Sequence, residues 1–167
     1  NAPMDTLVYG NICARNTLGG IMIAWYGKNV TVENNVFVDS TKSQACMLFG
    51  GKMSGVSLRR NIFAYSDPTA DFMRLNLLGD VDIGEIFTEV DGNLIFPPRG
   101  RDVTFSRLPS EAAGRTGTWE EWRRRGYDRH SVVADPQFVD PKNDDYDLKP
   151  GSPAFALGFQ RIDASLI

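Results

Sequence analysis

Two stretches of the chain carry the same order of apolar and polar positions. Residues 29–40 read NVTVENNVFVDS, and residues 55–66 read GVSLRRNIFAYS. Superposed, Val30 falls on Val56, Val32 on Leu58, Asn35 on Asn61, Val36 on Ile62, Phe37 on Phe63 and Ser40 on Ser66. Weaker copies lie upstream around Asn11 and downstream around Asn93, so the marker asparagines recur after 24, 26 and 32 residues. Val30-Thr31-Val32 and Val56-Ser57-Leu58 alternate as half-buried strands do. Asparagine then interrupts, and it tolerates the left-handed backbone region better than other side-chain-bearing residues, which suits a sharp bend.

Two or three short strands per repeat, bent at asparagine, predict the rungs of a parallel β-helix. Stacked rungs would put equivalent residues above one another at the ~4.8 Å strand spacing. Phe37 is then expected over Phe63, and Asn35 over Asn61 as an amide ladder. A leucine-rich repeat has a similar period but needs a leucine pattern that is missing here. An immunoglobulin-like sandwich would show regular turns without this self-similarity.

The repeat is lost near Asp102, which divides the chain into residues 1–101 (rungs) and 102–167 (a helix and tail packed on them). Thr118-Trp119-Glu120-Glu121 has the form of a capping box. A short helix with Trp119 and Trp122 on one face follows, and Gly126 stops it. Both indoles are expected to be buried against the strands. Beyond His130 the chain is punctuated by Pro136, Pro141, Pro150 and Pro153. Such a tail can be neither a central strand nor a long helix.

Composition narrows the function. Lys and Arg number 18 against 21 Asp and Glu, a net charge of −3. That argues against a nucleic-acid partner held by a basic face and against a polybasic membrane anchor. No apolar run approaches the ~18 residues of a membrane span. Cys13 and Cys46 show no metal-ligand spacing and read as buried thiols, with their disulfide state open. Neither a phosphate loop nor a dinucleotide fingerprint is present, so no cofactor is expected.

The rung motifs, together with Trp119-Glu120-Glu121-Trp122, the segment from His130 to Pro141 and Gly151-Ser152-Pro153-Ala154-Phe155, resemble the pectate-lyase-like superfamily. Within it, the tail is similar to the C-terminal end of carbohydrate-active proteins of the β-xylosidase and fucosidase kind. The resemblance implies an all-β, right-handed parallel β-helix of three to four rungs, closed by a C-terminal helix and an extended proline-rich tail. It implies a secreted or periplasmic glycoside hydrolase acting on plant or algal polysaccharide, with a polysaccharide lyase or a non-catalytic carbohydrate-binding or capping piece as the alternatives. It further implies a C-terminal portion of a longer protein. The N-terminal edge would then be covered by missing rungs or another chain, and the complete active site would lie partly outside this chain.

Glycoside hydrolysis needs two carboxyl groups held about one sugar ring. In the repeat register, Asp39 and Asp67 share a face on adjacent rungs and are the candidate catalytic pair. The competing reading is two solvated turn carboxylates. Asp80, Asp82 and Glu85 form a second acidic patch. Trp25 and Tyr26 are candidates for stacking on a sugar, and Arg59 for binding it. Arg59 and Arg60 could equally pair with Glu33 from rung to rung. His130, the only histidine, is expected to serve a hydrogen-bonding role. Asn143, Asp145 and Asp147 fail the EF-hand pattern, because Leu148 stands where glycine is needed and Ala154 where the bidentate glutamate is needed; no metal site is expected.

Overall fold

A computed structural model describes residues 4–24, 27–50, 53–78, 82–110 and 116–163. Four successive repeats each supply three strands. These are β1 (Met4–Tyr9), β2 (Ile12–Ala14) and β3 (Gly19–Ala24), then β4 (Lys28–Glu33), β5 (Val36–Val38) and β6 (Ser43–Gly50). The third repeat gives β7 (Val56–Arg59), β8 (Ile62–Ala64) and β9 (Asp71–Leu78). A helical turn, α1 (Ile83–Ile86), precedes β10 (Phe87–Asp91), β11 (Leu94–Phe96) and β12 (Phe105–Ser106). Then come helix α2 (Trp119–Arg124), β13 (Val132–Val133), β14 (Phe138–Asp140) and β15 (Asp145–Leu148). Two 3-10 turns, Pro141–Asn143 and Pro153–Leu157, lie in the tail.

Every third strand meets in one sheet. The sheets run β1-β4-β7-β10, β13-β11-β8-β5-β2 and β12-β9-β6-β3, all parallel, and β14 pairs antiparallel with β15. Val36 aligns with Ile62 and Phe37 with Phe63, the register that the repeat predicts. The Phe37 and Phe63 rings stack at 5.2 Å between centroids and 17° between planes.

The expected fold class is corrected. Among the described residues hydrogen bonding makes four separate sheets, no strand pairing joins one sheet to the next, and helical turns interrupt the strands. The result is a mixed arrangement of mostly parallel sheets, neither all-β nor a closed right-handed β-helix of three to four rungs. The reason lies at the corners. Gly10, Asn34, Arg60 and Gly92 adopt φ of 70°, 58°, 53° and 66° between the first and second strands of their repeats. A left-handed residue turns the chain there and passes it to the next sheet, while the Gly10, Asn34 and Arg60 N–H groups still donate to the neighbouring layer at 3.2–3.4 Å. The bend thus falls one residue before the marker asparagine, which keeps its side chain for other work. The tail is not simply extended either, since it folds into the β14–β15 hairpin and the two 3-10 turns.

Two apolar clusters follow from this arrangement. The larger lies among the three parallel sheets and includes Val32, Phe37, Leu58, Phe63, Phe72 and Leu75. Trp122 of α2 joins it at the C-terminal end, fully buried. The second lies on the other side of the β2-β5-β8-β11-β13 sheet. There Val36, Ile62 and Leu94 are covered by Phe138, Tyr146, Leu148 and Phe159 of the tail. That sheet is apolar on both faces, which is why β5 and β8 are buried at every position.

Candidate functional site

Asp39 follows β5 in a left-handed conformation (φ 50°). Its Oδ1 accepts the Ser66 N–H at 2.7 Å and the Ser66 hydroxyl at 2.8 Å. Asp67 Oδ1 accepts the N–H and the hydroxyl of Thr69, both at 2.7 Å. Those two bonds hold the Asp67 carboxyl below the usual carboxylate range. No hydrogen bond joins Asp39 to Asp67: Asp39 is spent on Ser66 in the turn of the next repeat, and Asp67 on Thr69 in its own turn. An ionised, lowered carboxyl cannot deliver a proton to a leaving group near neutral pH. Of the acidic patch, Asp82 caps α1 by accepting the Gly84 N–H at 2.9 Å. Glu85 is exposed in the first turn of α1, and Asp80 lies outside the described residues.

Arg59 is engaged rather than free. Its Nε donates to Glu33 Oε2 at 2.8 Å and its Nη1 to Glu89 Oε2 at 3.0 Å, across β4, β7 and β10. Arg60 donates to Glu33 Oε1 through Nε at 3.1 Å and also through Nη2. Burial pushes the Glu33 carboxyl up, but the hydrogen bonds from Arg60 and Arg59 outweigh it and hold that carboxyl low. Trp25 and Tyr26 lie outside the described residues. Cys13 is a free thiol, half-buried, and burial raises its pKa.

His130 pairs with Asp91. The imidazole Nδ1 lies 2.6 Å from Asp91 Oδ2, and the His130 N–H donates to Asp91 Oδ1 at 2.8 Å. Burial pushes the Asp91 carboxyl up, while the bonds from His130 and Gly92 pull it further down, so it lies below the ordinary range. The imidazole is largely exposed (84%), and the pair tethers the residues ahead of β13 to the end of β10 at the surface.

Aromatic and polar groups converge elsewhere, at the C-terminal end of the sheets. Thr118 accepts the Glu121 N–H at 3.2 Å while Glu121 accepts the Thr118 N–H at 2.7 Å, closing the capping box. The capped first turn of α2 stands opposite the segment that leads into β12. Between them lies a groove of about 660 Å³, lined by Arg101, Asp102, Thr104, Phe105, Thr116, Thr118, Trp119, Glu120 and Val133 among others. Trp119 is half-buried. Its ring packs on Phe105, stacked at 6.4 Å and 20°, and on Phe72, edge-on at 6.2 Å. The expectation that both indoles are buried is therefore corrected: α2 turns Trp122 into the core and leaves Trp119 on the groove. Residues three apart on a helix differ by a sixth of a turn, enough to put one at the core and the other at its margin. The sequence marks this groove only by an aromatic at the first helical position beside Thr118 and Glu120.

A second groove, about 630 Å³, lies between the β14–β15 hairpin and the last described residues. Its charges are clasped. Arg15 donates to both carboxylate oxygens of Asp144 and, at 3.0 Å, to Tyr146, while Arg161 donates to Asp147 at 2.6 Å. These contacts fasten the tail across the sheets.

No family model, no curated protein and no solved structure matches this chain.

Proposed function

We propose that this chain is the sugar-binding portion of a carbohydrate-active protein of the glycoside hydrolase kind, and that it holds a glycan against Trp119 without cleaving it. The supporting observation is the groove itself. The Trp119 indole, packed on Phe105 and Phe72, lines a space edged by hydroxyls, two carboxylates and a guanidinium. A sugar ring presents an apolar C–H face for the indole and a rim of hydroxyls for Asp102, Glu120, Thr104 and Arg101. Apolar walls with a few placed polar groups, in a volume of several hundred Å³, are what small-ligand sites share. The resemblance of the tail motifs to carbohydrate-active proteins agrees with this chemistry, and a secreted or periplasmic setting belongs with it.

Binding is favoured over hydrolysis because Asp39 is engaged by Ser66 and Asp67 by Thr69, and the Asp67 carboxyl is held low, the wrong direction for an acid. Binding is favoured over uronate elimination because Arg59 is tied to Glu33 and Glu89. The test is calorimetric titration of the full chain with xylo-oligosaccharides, fuco-oligosaccharides and oligouronates. One neutral series should bind, and Trp119→Ala should weaken it about tenfold or more, equivalent to about 1.4 kcal/mol. Glu120→Gln, on the exposed rim, should weaken it while leaving the circular dichroism unchanged. Aryl glycosides should not turn over. Turnover abolished by Asp39→Asn or Asp67→Asn would replace this reading with a catalytic one, and binding lost only in Arg59→Ala would move the site to the first sheet.

A further inference from the structure

The two ends of the main cluster are built differently. At the C-terminal end Trp122 closes it, fully buried, packed on Phe87 and Tyr127 and donating its Nε1–H to Asp128 at 2.8 Å. At the other end β1, β2 and β3 are edge strands in all three parallel sheets at once. Their core-facing side chains show the consequence. Val8, Cys13 and Ile21 are only half-buried, although Val32, Phe37 and Ala45, their direct partners in the next layer, are 0–1% exposed. A stack of repeats with an open terminal layer lacks the polar cap that a finished end carries.

The asparagine ladder adds direction. Asn35, Asn61 and Asn93 each receive, at Oδ1, both the main-chain N–H and the side-chain amide of the asparagine one layer before, at 2.9–3.2 Å. Asn93 passes its amide to Asp128 Oδ1 at 3.0 Å, an acceptor that ends the series. Asn11 gives both bonds to Asn35, yet no donor among the described residues reaches its own Oδ1. The open end thus presents an acceptor in the position where every later layer has two donors.

We infer that the face made by β1, β2 and β3 is a docking surface for one more layer of the same design. Its occupant is a strand–asparagine–strand segment, laid parallel and joined ahead of Met4, whose asparagine donates its N–H and its amide to Asn11 Oδ1. A second copy of the chain does not supply this. Its closed end is filled by Trp122 and Asp128, and its open end would bring one Asn11 acceptor against another.

The test joins a copy of residues 28–53 directly to Met4, which keeps the observed register of Met4 on Lys28 and Lys28 on Ser54. The extended chain should unfold at a temperature several degrees higher than the original, and the β1 amides should exchange with solvent at least tenfold more slowly. Replacing the asparagine equivalent to Asn35 in the added copy by leucine should remove most of both gains. The same segment supplied as a peptide of residues 28–50 should protect the β1 amides of the full chain, a readout that stands if the extended chain does not fold. No protection in either format overturns the inference, as does an equal gain from the leucine version. Concentration-dependent dimerisation of the original chain with protected β1 amides also overturns it, by making the occupant a second copy.

Discussion

Two carboxylates near the end of the asparagine ladder respond to acid in opposite senses. Asp128 is fully buried and pushed up by desolvation, against the hydrogen bonds it accepts from Asn93, Ser131 and Trp122. Asp91 is shielded less and lies low, because the His130 and Gly92 bonds outweigh its burial. The folded state holds the Asp128 proton more tightly than the unfolded chain does. Its contribution is therefore fully present below the ordinary carboxylate value of 3.8 and is lost as pH rises through the raised folded value. Asp91 favours folding above that ordinary value and withdraws the preference as pH falls through its lowered folded value. Urea denaturation between pH 3 and 7 should separate them. Asp91→Asn should flatten the acid-side loss of stability, and Asp128→Asn should make the chain lose less stability as pH rises above 4. Equal and parallel curves for both variants would show that neither carboxyl is coupled to folding.

Elements are held at fixed distances by small residues as much as by large ones. Gly20 in β3 passes so close to β5 and β6 that an added Cβ would lie 2.7 Å from the Gln44 carbonyl oxygen and 2.9 Å from Phe37 Cβ. Neither neighbour can retreat, since the first is backbone and Phe37 is 1% exposed and stacked on Phe63. Gly20→Ala should therefore cost about 1–3 kcal/mol, the scale of an overpacked core, read as a lower denaturation midpoint. The same change at exposed Gly84 has space of 3.4 Å or more and should cost much less. The sequence made the strands of the two strong repeats legible, because alternation and the paired Phe37 and Phe63 are local signals. It did not show how the sheets divide. That depends on the left-handed residues before each marker asparagine: Arg60 does not announce positive φ, and at Asn34-Asn35 nothing local says which of the two asparagines takes it. Nor did it separate Trp119 from Trp122, because their helical spacing leaves both near one face. Asp39 and Asp67 illustrate the reverse case. The turn-like surroundings of both were visible, and Thr69 is the local partner they supply to Asp67, whereas Ser66 reaches Asp39 from the next repeat.

On the scale of the whole molecule, the tail acts as the outer layer of the β2-β5-β8-β11-β13 sheet. Val36, Ile62 and Leu94 are at most 1% exposed only because Phe138, Tyr146, Leu148 and Phe159 lie over them. The strap is also fastened at its far end. Asn34 donates its amide to the Gln160 carbonyl at 3.0 Å and accepts the Gln160 N–H at 2.6 Å, as a paired strand would. Arg15 and Tyr9 add contacts from the first layer to Asp144 and Gln160. Fastening and burial have different weights. Exposed ion pairs contribute ~0–1 kcal/mol, whereas each large apolar side chain buried contributes roughly 1.5–3 kcal/mol. Arg15→Ala should therefore leave the fold and its oligomeric state unchanged. A chain ending at Asp135 should instead expose a contiguous apolar sheet face, bind a hydrophobic dye and elute as an aggregate in size-exclusion chromatography. A monomeric, dye-free truncated chain would show that the main cluster stands without its outer layer, and that the second cluster adds to stability without being required for it.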